Sequence, residues 1–427
     1  MVISKEQIAS SNDGQLKKHQ SKFDVLRDQL EEKNIDVAYV IDTLRTFQIA
    51  IPSWALGTGG TRFGRFPNGG EPVNLEEKMY DIGLLHALNR SSGAISLHIP
   101  WDIPEDAAGI RQLADELNLR FDAVNSNTFQ DQADQKYSYR YGSLCHTDKA
   151  VRDQAIAHNL EVAKYGEELG TNILSIWLSD GAIFPGQHNM RRALQRTEDS
   201  LSQIYKGLSE EFEMLIEYKP FEPAFYATVI PDWGTSFLLA NKLGKKANTL
   251  VDLGHHLPNT NIEQIISTLL AENKLGGFHF NDSKYADDDL TTGSMHPYEL
   301  FLIFYELVEG LQNQNRSLQD LSWMIDASHN IKDPLEDLLQ SVEAIQLALA
   351  QALTVDDKKL SDAQQNNDPT IAQEVLQDAF RTDLRPLLAE ARLQDDAALD
   401  PIAAYRALNV RGALIDERGE DSVATGL

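Results

Sequence analysis

Four apolar segments in the second half of the chain each end in side chains that bind metal ions. They read FEMLIEYK (residues 212–219), NTLVDLGHH (248–256), GGFHFNDSK (276–284) and LSWMIDASH (321–329). At or near their C-terminal ends stand Glu217 and Lys219, Asp252 and His255, His279, and Asp326; the loop after the third adds Asp287 and Asp289. A carboxylate inside an apolar run is costly to bury unless it is paired or bound to a cation. Four consecutive segments carrying such groups toward the same end predict convergence on a divalent metal site. Carboxylate oxygens with imidazole suit Mn²⁺, Mg²⁺, Co²⁺ or Zn²⁺, and no thiolate competes for a softer ion. Glu217, Asp252, His279 and Asp326 form a four-ligand set, one from each segment. His255, Asp287 and Asp289 form a second group, with Asp252, in Asp-x-x-His spacing, placed to bridge the two. Two ions close together hold two substrate oxygens and activate a water. Taken alone, an Asp-x-Asp inside ADDD reads as solvated surface; recurrence at equivalent segment ends carries the metal reading.

These groups need a scaffold that gathers strand ends. Four further apolar segments precede them: FQIAIPSWA (47–55), AISLHIPWD (94–102), RFDAVNSNTF (120–129) and NILSIWLSDG (172–181). Helix-period stretches lie between, among them residues 148–169, which start at Thr147-Asp148 and stop at Gly170. Eight strands alternating with helices predict a (β/α)8 TIM barrel, whose strands read as short, near-continuous apolar runs and whose chemistry sits at their C-terminal ends. Polar and aromatic residues do cluster there: His98, Trp101 and Asp102 after the second segment, Asn125 in the third, Trp177 and Asp180 after the fourth. The expected organisation is an N-terminal helical segment (residues 1–46), a catalytic barrel (47–332) and a C-terminal helical extension and tail (333–427). Within the extension, helices are expected over 334–353 and 371–392, a turn over 361–368, and no core period from Tyr405 onward.

Composition narrows the partners. With 38 basic against 65 acidic residues the formal charge is −27, which argues against nucleic acid or an anionic membrane as partner and also suits a salt-adapted host. The lone cysteine, Cys145, excludes an internal disulfide; the first twenty residues lack an apolar signal core, so a cytoplasmic enzyme is expected. Trp54, Trp101 and Trp177 fall near strand ends across the mouth from the metal ligands, as in sites that set aromatic faces against sugar C–H surfaces. The loop GTGGTRFGRFPNGGEP (57–72) lacks the phosphate-binding Lys-Ser/Thr pattern and reads as a lid or an arm to a neighbouring subunit.

Together the motifs WALGTGGTRFGRFP, SLHIPWD, WLSDG, EYKPFEP, VDLGHH, HFNDSKYADDD and IDASHN resemble those of the bacterial L-rhamnose isomerases of broad aldose specificity. The resemblance covers roughly residues 47–330. It implies a homotetrameric barrel that interconverts aldoses and ketoses with two divalent ions, commonly Mn²⁺. Glu217, Asp252, His279 and Asp326 would hold the structural ion. His255, Asp287 and Asp289 would hold the catalytic one, with Asp252 or Glu217 shared. His98, Trp101, Trp177, Lys219 and Ser328 match sugar-site positions, and Phe63 or Phe66 would reach a neighbour's site. A metal-assisted hydride shift is the expected route. A ketose epimerase on the same barrel is the nearest alternative, but it needs two opposed carboxylate bases about one metal. A DNA-repair nuclease and a non-catalytic sugar-binding protein fit the charge and the paired metal groups less well.

Overall fold

The structure, a computed structural model, describes residues 1–58, 66–329 and 331–424. Its strands in chain order are β1 (Ala50–Pro52), β2 (Ala94–Ile99), β3 (Arg120–Ser126), β4 (Ile173–Ile176), β5 (Gly181–Ala182), β6 (Glu213–Glu217), β7 (Ala227–Thr228), β8 (Ala247–Asp252), β9 (Leu275–Phe280) and β10 (Ser322–Ile325). Eight of them close a parallel barrel in the order β1-β10-β9-β8-β6-β4-β3-β2, sealed where Ala50 of β1 pairs with Met324 of β10. All eight expected segments form barrel strands, each shorter than its apolar run because the run continues into the loop at the mouth. The unforeseen β5 and β7 pair antiparallel as a small sheet of their own.

Strand periodicity explains how apolar sequence and polar chemistry share one strand. Side chains two apart face the same way, so Leu215 lies below Glu217, Leu250 below Asp252 and Met324 below Asp326. Leu215, Leu250 and Met324 pack with Ala50, Ala94 and Ala123 from β1–β3 into a cluster separate from the main core, large residues opposing small ones. The main core lies between the strands' outer faces and the helices, with Phe278, Phe280, Phe304 and Trp323 stacked in near-parallel planes. Gly276 and Gly277 permit close approaches within the barrel wall. Gly276 sits at a register shift between β8 and β9, where a Cβ would fall 2.4 Å from Leu215 Cδ2.

Six barrel helices start where Asn or Asp accepts a backbone N–H of the first turn, at Asn74, Asp106, Asp148, Asn189, Asp232 and Asn261, and the helix Pro297–Asn313 starts with a proline instead. Gly170 ends the Lys149–Leu169 helix in the left-handed conformation. After the barrel comes the Pro334–Leu353 helix, as read from sequence. The expected turn over 361–368 is instead largely the helix Asp357–Gln365, which buries Leu360 and Ala363. The single helix expected over 371–392 is two, Pro369–Arg381 and Arg385–Gln394. The tail also forms helices, Pro401–Ala407 and Val410–Arg418.

That tail buries Tyr405, Val410 and Leu414 in the main core and adds ion pairs to it. Arg418 reaches both oxygens of buried Asp81 at 2.8 Å, and Arg411 grips Asp333 at 2.7 and 3.0 Å. The same two arginines donate to the carbonyls of Gly69 and Gly70. Glu71, fully buried, accepts from Thr58 N and Oγ1 at one stem of the first βα loop and from Ala424 N at 2.9 Å. The C-terminal segment thus clamps both stems of the glycine-rich loop. No single helix among the described residues is long and apolar enough to cross a membrane.

Candidate metal centre

The barrel mouth holds a cavity of about 340 Å³ in which two walls differ in chemistry. One is acidic and imidazole-bearing: Glu217 ends β6, Asp252 ends β8, His279 lies in β9, Asp326 follows β10, and His255, Asp287 and Asp289 come from the adjoining loops. Glu217, Asp252 and His279 each bring one ligand atom within 4.8 Å of the others, and so do Asp252, His255 and Asp287. The two groups meet at Asp252. His279 Nδ1 lies 3.3 Å from Glu217 Oε1, 3.6 Å from Asp252 Oδ2 and 3.9 Å from Asp326 Oδ2. His255 Nδ1 is 3.1 Å from Glu217 Oε1, while its Nε2 is 3.4 Å from Asp287 Oδ1.

Local contacts aim these side chains. Asp252 Oδ1 accepts from Gly254 N at 2.8 Å and Asn281 Nδ2 at 3.0 Å, which leaves its buried Oδ2 without a hydrogen-bond donor and turned to the shared space. Trp54 Nε1 donates to Asp326 Oδ1 at 2.8 Å. Asp289, at φ 46°, accepts from Ser328 Oγ at 3.1 Å, while its Oδ1 has no hydrogen-bond partner. Lys219 Nζ pairs with Asp287 Oδ2 and lies 5.1 Å above the Trp177 ring.

The electrostatics call for more positive charge than the side chains supply. Burial opposes charge on every group, yet Asp252 and Asp287 raise the His255 imidazole to about 10, and Glu217 raises His279 well above the usual imidazole range. Glu217, against the same burial, is held at about 2 by His279 and His255. The histidines do not serve all the acids. Burial, with Asp287 and Asp326 nearby, pushes Asp289 well up; burial also lifts Asp326 to about 6, against His279 and with Asp252. Five carboxylates on one wall, with Asp252 Oδ2 and Asp289 Oδ1 buried without a hydrogen-bond partner, fit a divalent cation, which would supply the missing charge.

The facing wall is aromatic. Trp54, His98, Phe129 and Trp177 line it, with Asn125, Ser126 and Ser179 adding polar atoms. Burial pushes His98 down to about 4, so the ring is neutral, and its Nδ1 has no hydrogen-bond partner. Most residues expected from sequence meet here: Lys219, Ser328, His98 and Trp177 line the cavity with the acid–histidine wall. Trp101 does not line it but packs behind His98 with centroids 4.7 Å apart, buttressing the ring. Trp54, expected across the mouth from the ligands, instead bridges both walls through Asp326. Phe66 is 64% exposed and away from the cavity lining, and Phe63 lies outside the described residues. Sequence reasoning left out Phe129, Glu222 and Asn281. The F of SNTF and the N of HFND follow strand ends, a positional signal that spacing alone did not rank.

Residues 91–302 match the family described as xylose isomerase-like TIM barrel. The chain is 49% identical over 396 residues to a probable sugar isomerase of Rhizobium meliloti (strain 1021), spanning 93% of this chain and 92% of that protein. It is 46% identical over 417 residues to a probable sugar isomerase of Mesorhizobium japonicum (strain LMG 29417 / CECT 9101 / MAFF 303099), spanning 98% and 96%. Among solved structures, an L-ribulose 3-epimerase aligns with a TM-score of 0.54 at 13% identity over 76% of this chain and 99% of that one, a likeness of fold.

Proposed function

The chain belongs to the sugar isomerases of the xylose isomerase-like TIM-barrel family, and from that premise we propose that it interconverts aldoses and ketoses, with L-rhamnose and L-rhamnulose as the leading pair. One observation carries the reading: two acid–histidine groups share Asp252 on one wall of a cavity whose other wall is aromatic. Aldose–ketose exchange moves a hydrogen between C1 and C2 and a proton between O2 and O1. The first ion is assigned to Glu217, Asp252, His279 and Asp326, the second to His255, Asp287 and Asp289 with Asp252 shared; Mn²⁺ is the favoured occupant. When bound, such ions supply Lewis-acid polarisation at the sugar oxygens.

The side chains do the rest. Lys219, charged beside Asp287, holds a sugar oxygen through its ammonium, and Ser328 offers a hydroxyl beside Asp289. Neutral His98 accepts or donates a proton at a sugar oxygen on the opposite side. Trp54, Phe129 and Trp177 cover the C–H faces and exclude water, which favours a direct hydride shift over an enediol open to solvent exchange. The homotetramer draws support from Ile183, Phe184, Phe225 and Tyr226, which lie exposed beside the β5–β7 sheet. Phe63 or Phe66 is assigned to a neighbour's site.

The test is to load the purified protein with Mn²⁺, incubate it with L-rhamnose and related aldoses in D₂O, and identify products by NMR. Ketose without solvent deuterium at C1 supports an isomerase with hydride shift, and deuterium there moves the route to an enediol. Absence of ketose from every aldose, with a C3-inverted product from ketoses, would establish the epimerase reading instead.

A further inference from the structure

Asp337 lies in the first turn of the Pro334–Leu353 helix and is 1% exposed. An acid in a first turn favours the helix dipole, but that benefit needs no burial, and a buried carboxylate must find donors. Those of Asp337 come from the barrel mouth. Its Oδ1 accepts from the Thr291 hydroxyl and from Lys332 Nζ at 2.8 Å, while Oδ2 faces His329 Nδ1 at 2.7 Å. The other His329 nitrogen, Nε2, lies 2.6 Å from the Ala55 carbonyl. With acceptors at both nitrogens, the ring bridges the helix to the first βα loop.

Each arm ends beside a residue of the metal centre. Thr291 stands two residues beyond Asp289. His329 follows Ser328, whose N and Oγ both bond to Asp289, at 3.0 and 3.1 Å. Ala55 follows Trp54, which orients Asp326. None of Asp337, Thr291, His329 and Lys332 lines the cavity. We propose that Asp337 is a positioning residue: one carboxylate outside the barrel sets three mouth segments, those of Trp54, Asp289 and Ser328, in register with one another. The helix after the barrel is then part of the apparatus that shapes the second metal group. This inference rests on the reading of Asp289 as a ligand of that group.

Asp337→Asn keeps the shape but sets an amide N–H₂ against one of its present donors, so one arm is lost. The full-length variant is compared with wild type and with Glu336→Gln, a neighbour in the same turn that pairs outward with Arg406. Mn²⁺ binding is followed by electron paramagnetic resonance of the free ion, alongside thermal melting, kcat and KM on L-rhamnose. The expected result is a loss of about tenfold to a hundredfold in the weaker Mn²⁺ event and in kcat, the range for residues that orient metal ligands, with KM nearly unchanged and Glu336→Gln like wild type. Asp337→Glu should recover part of the loss. An unchanged Mn²⁺ isotherm and kcat, with or without a lower Tm, would overturn the proposal and leave Asp337 a helix tether. Should Asp337→Asn fail to fold, Thr291→Val removes only the arm nearest Asp289 and is judged by the same two readouts. Wild-type protein that binds no Mn²⁺ would sink the metal reading itself, an outcome distinct from unchanged binding in the variant.

Discussion

Asp289 is the residue on which the two-ion reading can be separated from a one-ion reading. It comes from a loop, so its loss disturbs the barrel less than loss of Glu217 or Asp252 from a strand end. Asp289→Asn keeps the size and one oxygen but removes charge from a crowded acidic wall. The expected outcome is a folded protein whose kcat falls about 10²-fold, equivalent to ~2.7 kcal/mol of transition-state stabilisation, with partial recovery in excess Mn²⁺. Steady-state kinetics across a Mn²⁺ series check this, and normal turnover at limiting Mn²⁺ contradicts it. A second residue gives a pH signature remote from the metal. His86 is buried in the Leu75–Asn89 helix, and burial, aided by Arg90, lowers its pKa from 6.5 to about 4. The unfolded chain therefore binds the extra proton first, so stability is intact above 6.5 and declines as pH falls toward 4, by up to ~3 kcal/mol. His86→Gln should flatten that part of the Tm-against-pH curve relative to wild type.

At the scale of elements, what was legible in the sequence follows from what holds each element. Barrel strands were readable because both faces are buried and the run is almost wholly apolar; the candidate ligands stood out because a carboxylate interrupts such a run only for a reason. The Pro334–Leu353 helix was readable from its wide apolar face. The Val410–Arg418 helix was not, because only Val410 and Leu414 of it enter the core, too few for a period, and the rest of its attachment is Arg411 on Asp333 and Arg418 on Asp81, charge pairs without a periodic signature. The polar Asp357–Gln365 helix, which buries only Leu360 and Ala363, was likewise read as a turn. In the site, neither the Trp54–Asp326 bond nor the place of Trp101 behind His98 could be read, since each depends on loop direction. Space inside the barrel is equally invisible in one dimension. Gly276→Ala puts a methyl 2.4 Å from Leu215 Cδ2 and 2.8 Å from Asn248 Cβ. We expect it to destabilise the fold by ~1–3 kcal/mol through strain, measured by denaturant unfolding, with His279 displaced enough to weaken metal binding.

For the molecule as a whole, the two chain ends and the mouth form one mechanical unit. Arg45 of the N-terminal helices grips Asp395, Asn12 bonds across to Ala397 and Leu399, and the segment beyond Arg411 clamps the first βα loop. Glu71 is the pivot of that clamp. Glu71→Ala strips three donors of their acceptor, at ~1–3 kcal/mol for each one left buried and unpaired. A lower Tm and a raised KM for sugar are the expected results, and an unchanged KM would detach the clamp from the site. The clamp also has a consequence in time. Ribosomes make the chain from its N-terminus, and Glu71 waits 353 residues for Ala424. Every proposed metal ligand has been synthesised by Asp326, well before Arg411 and Arg418 exist to seat the loop. A message truncated short of Arg411 is therefore expected to yield a product that carries every proposed ligand and takes up Mn²⁺ but holds sugar poorly.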